Sequence, residues 1–237
     1  MYKKGAKLIL RPPRSVYAIQ KMPITYDLQN FDRKIERIPI AFQSSQNQTL
    51  HGSFYHASNI TCDCCVIYLH GNASNQLEGR YLVSIFVPLG IPVFCFDFAG
   101  CGCSSGKYIS LGYYETLDVG AVLSLLTTDF GINQFLLWGR SMGAAVSILS
   151  LEKYSNILAA VVDSPYTSIV SLRTQLARSK KIPKWLIKRS IKKIRKRIQK
   201  KAQFDIHEVS PISKVENIEK PIFFIHGTDD LFVVPDN

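Results

Sequence analysis

A serine with glycine two residues away on each side, Gly139-Arg140-Ser141-Met142-Gly143, is the part of this 237-residue chain best suited to covalent chemistry. A short apolar run, Phe135-Leu136-Leu137-Trp138, precedes it, and a helix-like run from Ala144 to Leu151 follows. A serine on a sharp strand-to-helix turn is held in a strained conformation with its hydroxyl exposed. Glycines are needed beside it because the backbone nearly touches itself there. The N-terminus of the following helix favours negative charge developing at that spot. The implied chemistry is nucleophilic attack by Ser141 on an acyl carbon.

A serine can be held this way only by a sheet. Glu36 to Phe42 and Thr49 to Tyr55 partly alternate and are joined by Ser44-Ser45-Gln46-Asn47, which predicts an antiparallel hairpin. Five later apolar runs end in polar motifs. Cys65–Leu69 ends in His70-Gly71-Asn72 and Ile91–Phe96 in Asp97. Phe135–Trp138 ends in the serine turn, Leu158–Val162 in Asp163, and Pro221–Ile225 in His226-Gly227. Unbroken apolar strands alternating with helical stretches at 76–88, 113–128 and 142–154 predict an α/β fold, a mostly parallel sheet covered on both faces. Polar groups gathered at strand carboxyl ends mark the edge where such sheets bind ligands. Residues 164–205 interrupt the rhythm and are expected to be a helical insertion within a single domain spanning 1–237.

Four motifs in order carry a resemblance: His70-Gly71-Asn72, the run Asp97 to Gly106, the Gly139–Gly143 turn, and His226-Gly227-Thr228-Asp229-Asp230. With them the chain resembles the α/β-hydrolases, more narrowly the serine hydrolases labelled by the serine aminopeptidase domain, which include the α/β-hydrolase-domain protein depalmitoylases. Arg11-Pro12-Pro13-Arg14, the run Tyr68 to Ala73 and the basic segment ending at Asp205 are similar to protist members of that group. The resemblance implies Ser141 as nucleophile, the backbone N–H groups of Met142 and Asn72 as oxyanion donors, and Asp230 as the acid orienting an imidazole. Asp163, which also ends a strand, is the alternative acid and Asp229 a third; Asp163 also fits a helix cap for the segment at Ser164-Pro165. His70, Gly71, Gly139 and Gly143 support the motifs, and the 97–106 run shapes the adjoining turn. That run superficially suggests a dinucleotide fingerprint, but its third glycine comes one place late, at Gly106.

The family's histidine follows a further helix and strand, so none of His51, His56, His70, His207 and His226 is assigned as general base. The expectation is a chain that stops short of its last strand and helix; the alternative is a protein that lacks its base.

The chain carries 29 Lys and Arg against 18 Asp and Glu, a net charge of +11. Thirteen of the basic residues lie within 178–201, so the basic character is local and argues against a nucleic-acid-binding protein as a whole. Ile187, Ile191, Ile194 and Ile198 share one helical face, with Lys188, Arg189, Lys192, Lys193, Arg195, Lys196 and Arg197 around the remainder. Two compatible readings follow: a lid whose isoleucines pack over the site, and a basic helix lying on an anionic membrane surface. No apolar run approaches the roughly 20 residues of a membrane span, no signal peptide or myristoylation motif is present at Met1-Tyr2, and a cytoplasmic location, peripheral to membranes if associated at all, is expected. The six cysteines are read as free thiols, since Cys62-Asp63-Cys64 and Cys101-Gly102-Cys103 have poor spacing for zinc. Neither metal nor organic cofactor is expected. The leading expectation is a serine hydrolase of acyl esters or thioesters, on acyl lipids or S-acylated proteins. The alternative is an inactive hydrolase-like module that binds membrane or a partner through residues 184–201.

Overall fold

In a computed structural model that describes residues 9–29, 31–57, 62–178 and 182–235, the strand bearing His70 at its end is buried along almost its whole length. The basic N-terminal residues 1–8, and Lys180 and Lys181, lie outside the described residues. This strand, β4 (Cys64–Leu69), follows β1 (Thr25–Tyr26), β2 (Ile35–Gln43) and β3 (Thr49–Ala57) in the chain. It is succeeded by β5 (Val93–Phe96), β6 (Gln134–Arg140), β7 (Ile157–Asp163) and β8 (Ile222–Ile225). The strands form one eight-stranded sheet in the order β1-β2-β3-β5-β4-β6-β7-β8. The first three strands and β5 pair antiparallel, and β5, β4, β6, β7 and β8 pair parallel. The expected hairpin is β2–β3, with the two-residue β1 added at its edge.

The unbroken apolar runs of β4 and β5 follow from burial on both faces, whereas β7 and β8, expected to be covered likewise, expose Leu158, Phe223 and Phe224. Cys65, Ile67 and Leu69 face one core with Phe94 and Phe96; Val66 and Tyr68 face the other with Val93 and Cys95. Against the larger core lie α1 (Glu115–Phe130) through Val119, Val122 and Leu126, and α2 (Met142–Lys153) through Ala144, Ala145 and Ile148, among other helices. The smaller core is covered by Gln76–Leu89; the helical stretch expected at 76–88 is found as 3-10 turns around a single α-turn, Val83–Phe86. Gly79 sits so close to the Tyr68 ring that a Cβ there would lie 2.3 Å from it, and Pro88 and Gly90 end the run. The interruption at 164–205 is helical: α3 (Ile169–Arg178) and α4 (Lys184–Ala202). At the sheet edge β8 is mostly exposed, with Phe223 and Phe224 open to solvent. No helix among the described residues is long and apolar enough to cross a membrane. Cys65 and Cys95 are buried thiols.

On α1, Asp118 is buried and accepts the Ala99 N–H at 2.9 Å, fixing the loop after β5. Burial pushes its carboxyl from the ordinary 3.8 up to about 8, with nearby Glu115 adding in the same direction against the Ala99 bond. The folded state therefore holds a proton that the unfolded chain releases, and the associated stability is lost as pH rises from about 4 through about 8. Asp118→Asn, which keeps an acceptor for Ala99, is expected to flatten the fall in wild-type stability over that window. Urea denaturation at about pH 5 and about pH 9 checks this; parallel pH profiles for both proteins would contradict it.

Candidate active site

The turn at Ser141 is as tight as its glycines require. Ser141 has φ 53° and ψ −109°, a conformation rare for a residue with a side chain and costly by roughly 1–3 kcal/mol. A Cβ on Gly139 would lie 2.2 Å from the Gly143 carbonyl oxygen, and one on Gly143 would lie 1.9 Å from that of Leu69. The first turn of α2 is thereby pressed against the end of β4. Met142 is the first residue of α2 and Asn72 lies three residues past β4, one on each side of that close contact. Among the described residues, neither backbone N–H has a partner within the fold.

Strand register lines up the remaining candidates. Leu69 pairs with Gly139, Arg140 with Asp163, and Asp163 with Ile225. The Ser141 N–H donates to Asp163 O at 2.8 Å and the Ser164 N–H to Ile225 O at 2.8 Å. The polar ends of β4, β6, β7 and β8 therefore share one edge. Asp230 lies in the loop after β8, where Oδ1 accepts the N–H groups of Phe232 (2.8 Å) and Val233 (2.9 Å). Burial opposes its charge, but those N–H groups, with His226 and Ser164, hold its carboxyl below the ordinary value. Asp163 does not cap a helix: it accepts the Ser164 hydroxyl at 2.9 Å, while Ser168 Oγ accepts the N–H of Ser171 in the first turn of α3.

His70 is a clamp. Its Nε2 accepts the Phe98 N–H at 3.1 Å, so Nδ1 carries the proton and donates to Gly71 O at 2.7 Å. Burial lowers its pKa, against the Gly71 bond, and keeps the ring neutral. Both nitrogens are committed to joining the turns after β4 and β5. His226 Nε2 lies 2.6 Å from Val233 O and 3.8 Å from Asp230 Oδ2. His56 Nδ1 lies 3.0 Å from Ala57 O, and His51 and His207 sit on β3 and after α4. No imidazole among the described residues is hydrogen-bonded to Ser141.

Supporting contacts join the motifs to residues outside them, Tyr17, Gln76 and Glu78. Glu78 pairs with the Arg140 guanidinium, accepts the Tyr68 hydroxyl at 3.1 Å and takes the Gly71 N–H at 3.3 Å. Burial works against its ionisation, yet Arg140 holds its pKa below the ordinary value. Asp97 is a hub: Oδ1 accepts Gln76 N–H (2.7 Å), and Oδ2 accepts Cys103 N–H (2.8 Å) and the Tyr17 hydroxyl (2.9 Å). Arg14 closes over the same loop through Ser104 O and Gly106 O. The 97–106 run thus builds a turn beside the site. The sequence signals for this strap are the Arg11-Pro12-Pro13-Arg14 stretch and a Tyr17 that no periodicity marks.

A family model described as serine aminopeptidase, S33, matches residues 62–214. An uncharacterised Bacillus subtilis protein, YqkD, is 26% identical over 212 residues, covering 88% of this chain and 68% of its own length. The mouse α/β-hydrolase domain-containing protein 17C is 22% identical over 210 residues, covering 86% of this chain and 57% of its own. The chain spans between 43% and 68% of the length of such curated relatives. Among solved structures, the Pyrococcus furiosus esterase Pf2001 superposes with a TM-score of 0.67 at 25% identity, over 95% of this chain and 81% of its own. The family match over the body of the sheet, carried on a fold shared with an esterase, makes this chain a member of the serine aminopeptidase (S33) family of α/β-hydrolases.

Proposed function

We propose that the protein is a serine hydrolase that cleaves acyl esters or thioesters through an acyl-enzyme on Ser141. The observation that carries the reading is the strained Ser141 at the start of α2, whose first turn is pressed against the end of β4. Ser141 Oγ attacks the acyl carbon and its carbonyl oxygen becomes an oxyanion. The N–H groups of Met142 and Asn72 stabilise that oxyanion, a contribution of about 3–4 kcal/mol for each such donor. Collapse expels an alcohol or thiol, which takes the proton, and water then releases the acid. Asp230, already ionised by its N–H donors, is suited to orient an imidazolium. The reading assigns no general base among the five histidines of this chain. Acyl substrates are supported by the esterase name of the superposed structure and by the α/β-hydrolase relatives.

The test uses the protein expressed from its complete gene. Incubation with a long-chain acyl thioester and quenching in acid should leave an acyl mass increment on the peptide containing Ser141. An increment on a cysteine peptide alone, or hydrolysis with no trapped adduct and unchanged by Ser141 replacement, would contradict the proposal.

A further inference from the structure

The apolar stripe of α4 is occupied by the protein itself. Ile187, Ile194, Ile198 and Ala202 are buried, the last three in the main core. Ile194 and Ile198 are therefore not free to enter a bilayer, while Ile191 is half-buried and borders a groove. What α4 leaves outside is a different surface. Lys188, Lys192 and Lys196 form one exposed row at four-residue spacing, flanked by the exposed Lys184 and Arg189, on a helix with no acidic residue. Arg195 is paired with Asp205. At the start of the helix Trp185 is 67% exposed. Between α3 and α4 runs an open groove of about 790 Å³. Val170, Ile187, Ile191 and the Trp185 ring supply its apolar lining, and Lys188 and Lys192 stand among its polar groups.

From this geometry we infer that the exposed face of α4 docks on an anionic phospholipid surface. The basic row takes the headgroups, and Trp185 and the groove take apolar matter at the interface. Charge complementarity supports this occupant: a helix of about 28 Å presents cations of one sign along its outer length. A large aromatic open to solvent at one end is the kind of side chain that partitions at headgroup level. Single-stranded nucleic acid is disfavoured, because base stacking needs aromatics interleaved with the cations and Trp185 is the only aromatic on α4. The far end of α4 abuts the turns that follow β5. The Tyr114 hydroxyl donates to Ala202 O at 2.8 Å and the rings of Tyr113 and Phe204 stack at 5.5 Å. A surface bound along α4 therefore lies beside the loops at the carboxyl edge of the sheet. The inference goes beyond the hydrolase reading and does not depend on it.

Co-sedimentation of the full protein with phosphatidylcholine–phosphatidylserine vesicles and with pure phosphatidylcholine vesicles tests it. Binding to the first, little to the second, and loss with added salt are expected. The triple variant Lys188→Glu, Lys192→Glu, Lys196→Glu, with native circular dichroism, should bind at least about 100-fold more weakly. Tryptophan emission should shift to the blue on vesicle addition in wild type and not in Trp185→Phe. Equal binding to neutral vesicles, unchanged binding by the triple variant, or retention on polyuridylate with no vesicle binding would each overturn the inference. Labelling of Ser141 in the triple variant is expected to match wild type, which separates failure here from failure of the hydrolase reading.

Discussion

Ser141→Ala is expected to remove covalent labelling by a fluorophosphonate and to lower ester or thioester hydrolysis by about 10⁴-fold or more, with little change in stability. The physical basis is that one oxygen is both the nucleophile and the atom carrying the acyl group between the two half-reactions. Alanine keeps the Cβ and tolerates the same φ of 53° about as poorly as serine, so the strained turn and the two N–H groups persist. Any turnover left reports oxyanion stabilisation without a nucleophile, and it should be saturable and insensitive to the probe. The measurement is paired: kcat/KM on a short-chain nitrophenyl ester and gel fluorescence after probe treatment, on protein expressed from the complete gene. A variant that keeps both activity and labelling would place the chemistry elsewhere.

The second large effect concerns the packing that makes the turn. Gly143→Ala would set a Cβ 1.9 Å from Leu69 O and 3.0 Å from His70 O, both backbone atoms of a buried strand end. Neither can yield without moving β4 or lifting α2, so a destabilisation of about 2–4 kcal/mol is expected. Lifting α2 would also carry the Met142 N–H away from the end of β4, so the folded fraction should lose probe reactivity as well. Gly131→Ala is the control. Gly131 also has a positive φ, 69°, but a Cβ there meets nothing within 4 Å, so only conformational strain of about 1 kcal/mol applies. Denaturant midpoints for the two variants should differ accordingly, and equal midpoints would mean that the close approach of α2 to β4 is not maintained in solution.

Much of this site could be read from the chain because its parts are local. A strand buried on both faces needs an unbroken apolar run, and polar residues resume where it leaves the sheet. This is why Cys65–Leu69 marked both strand and site edge; Phe135–Trp138 and Leu158–Val162 are apolar strands whose second face is only half-covered. The two glycines at i±2 of Ser141 likewise signalled a backbone contact at short range. What escaped was long-range and aperiodic. Arg14 reaches Ser104, Tyr17 reaches Asp97, and Arg140 reaches Glu78, contacts between residues 62 to 90 positions apart that no repeating pattern reveals. Within the 3-10 segment Gln76–Leu82, Gly79 meets the Tyr68 ring, again a contact across elements. The isoleucine stripe of α4 announced an amphipathic helix, but periodicity is the same whether the apolar side meets protein or lipid; only packing assigned it to the core.

The most direct measurement of the central claim is a crystal structure of the protein from the complete gene after reaction with a fluorophosphonate. The account predicts density continuous from Ser141 Oγ to phosphorus, with the phosphoryl oxygen about 2.7–3.1 Å from the backbone nitrogens of both Asn72 and Met142. An adduct on another residue, or one on Ser141 whose oxygen points away from both amides, would contradict it.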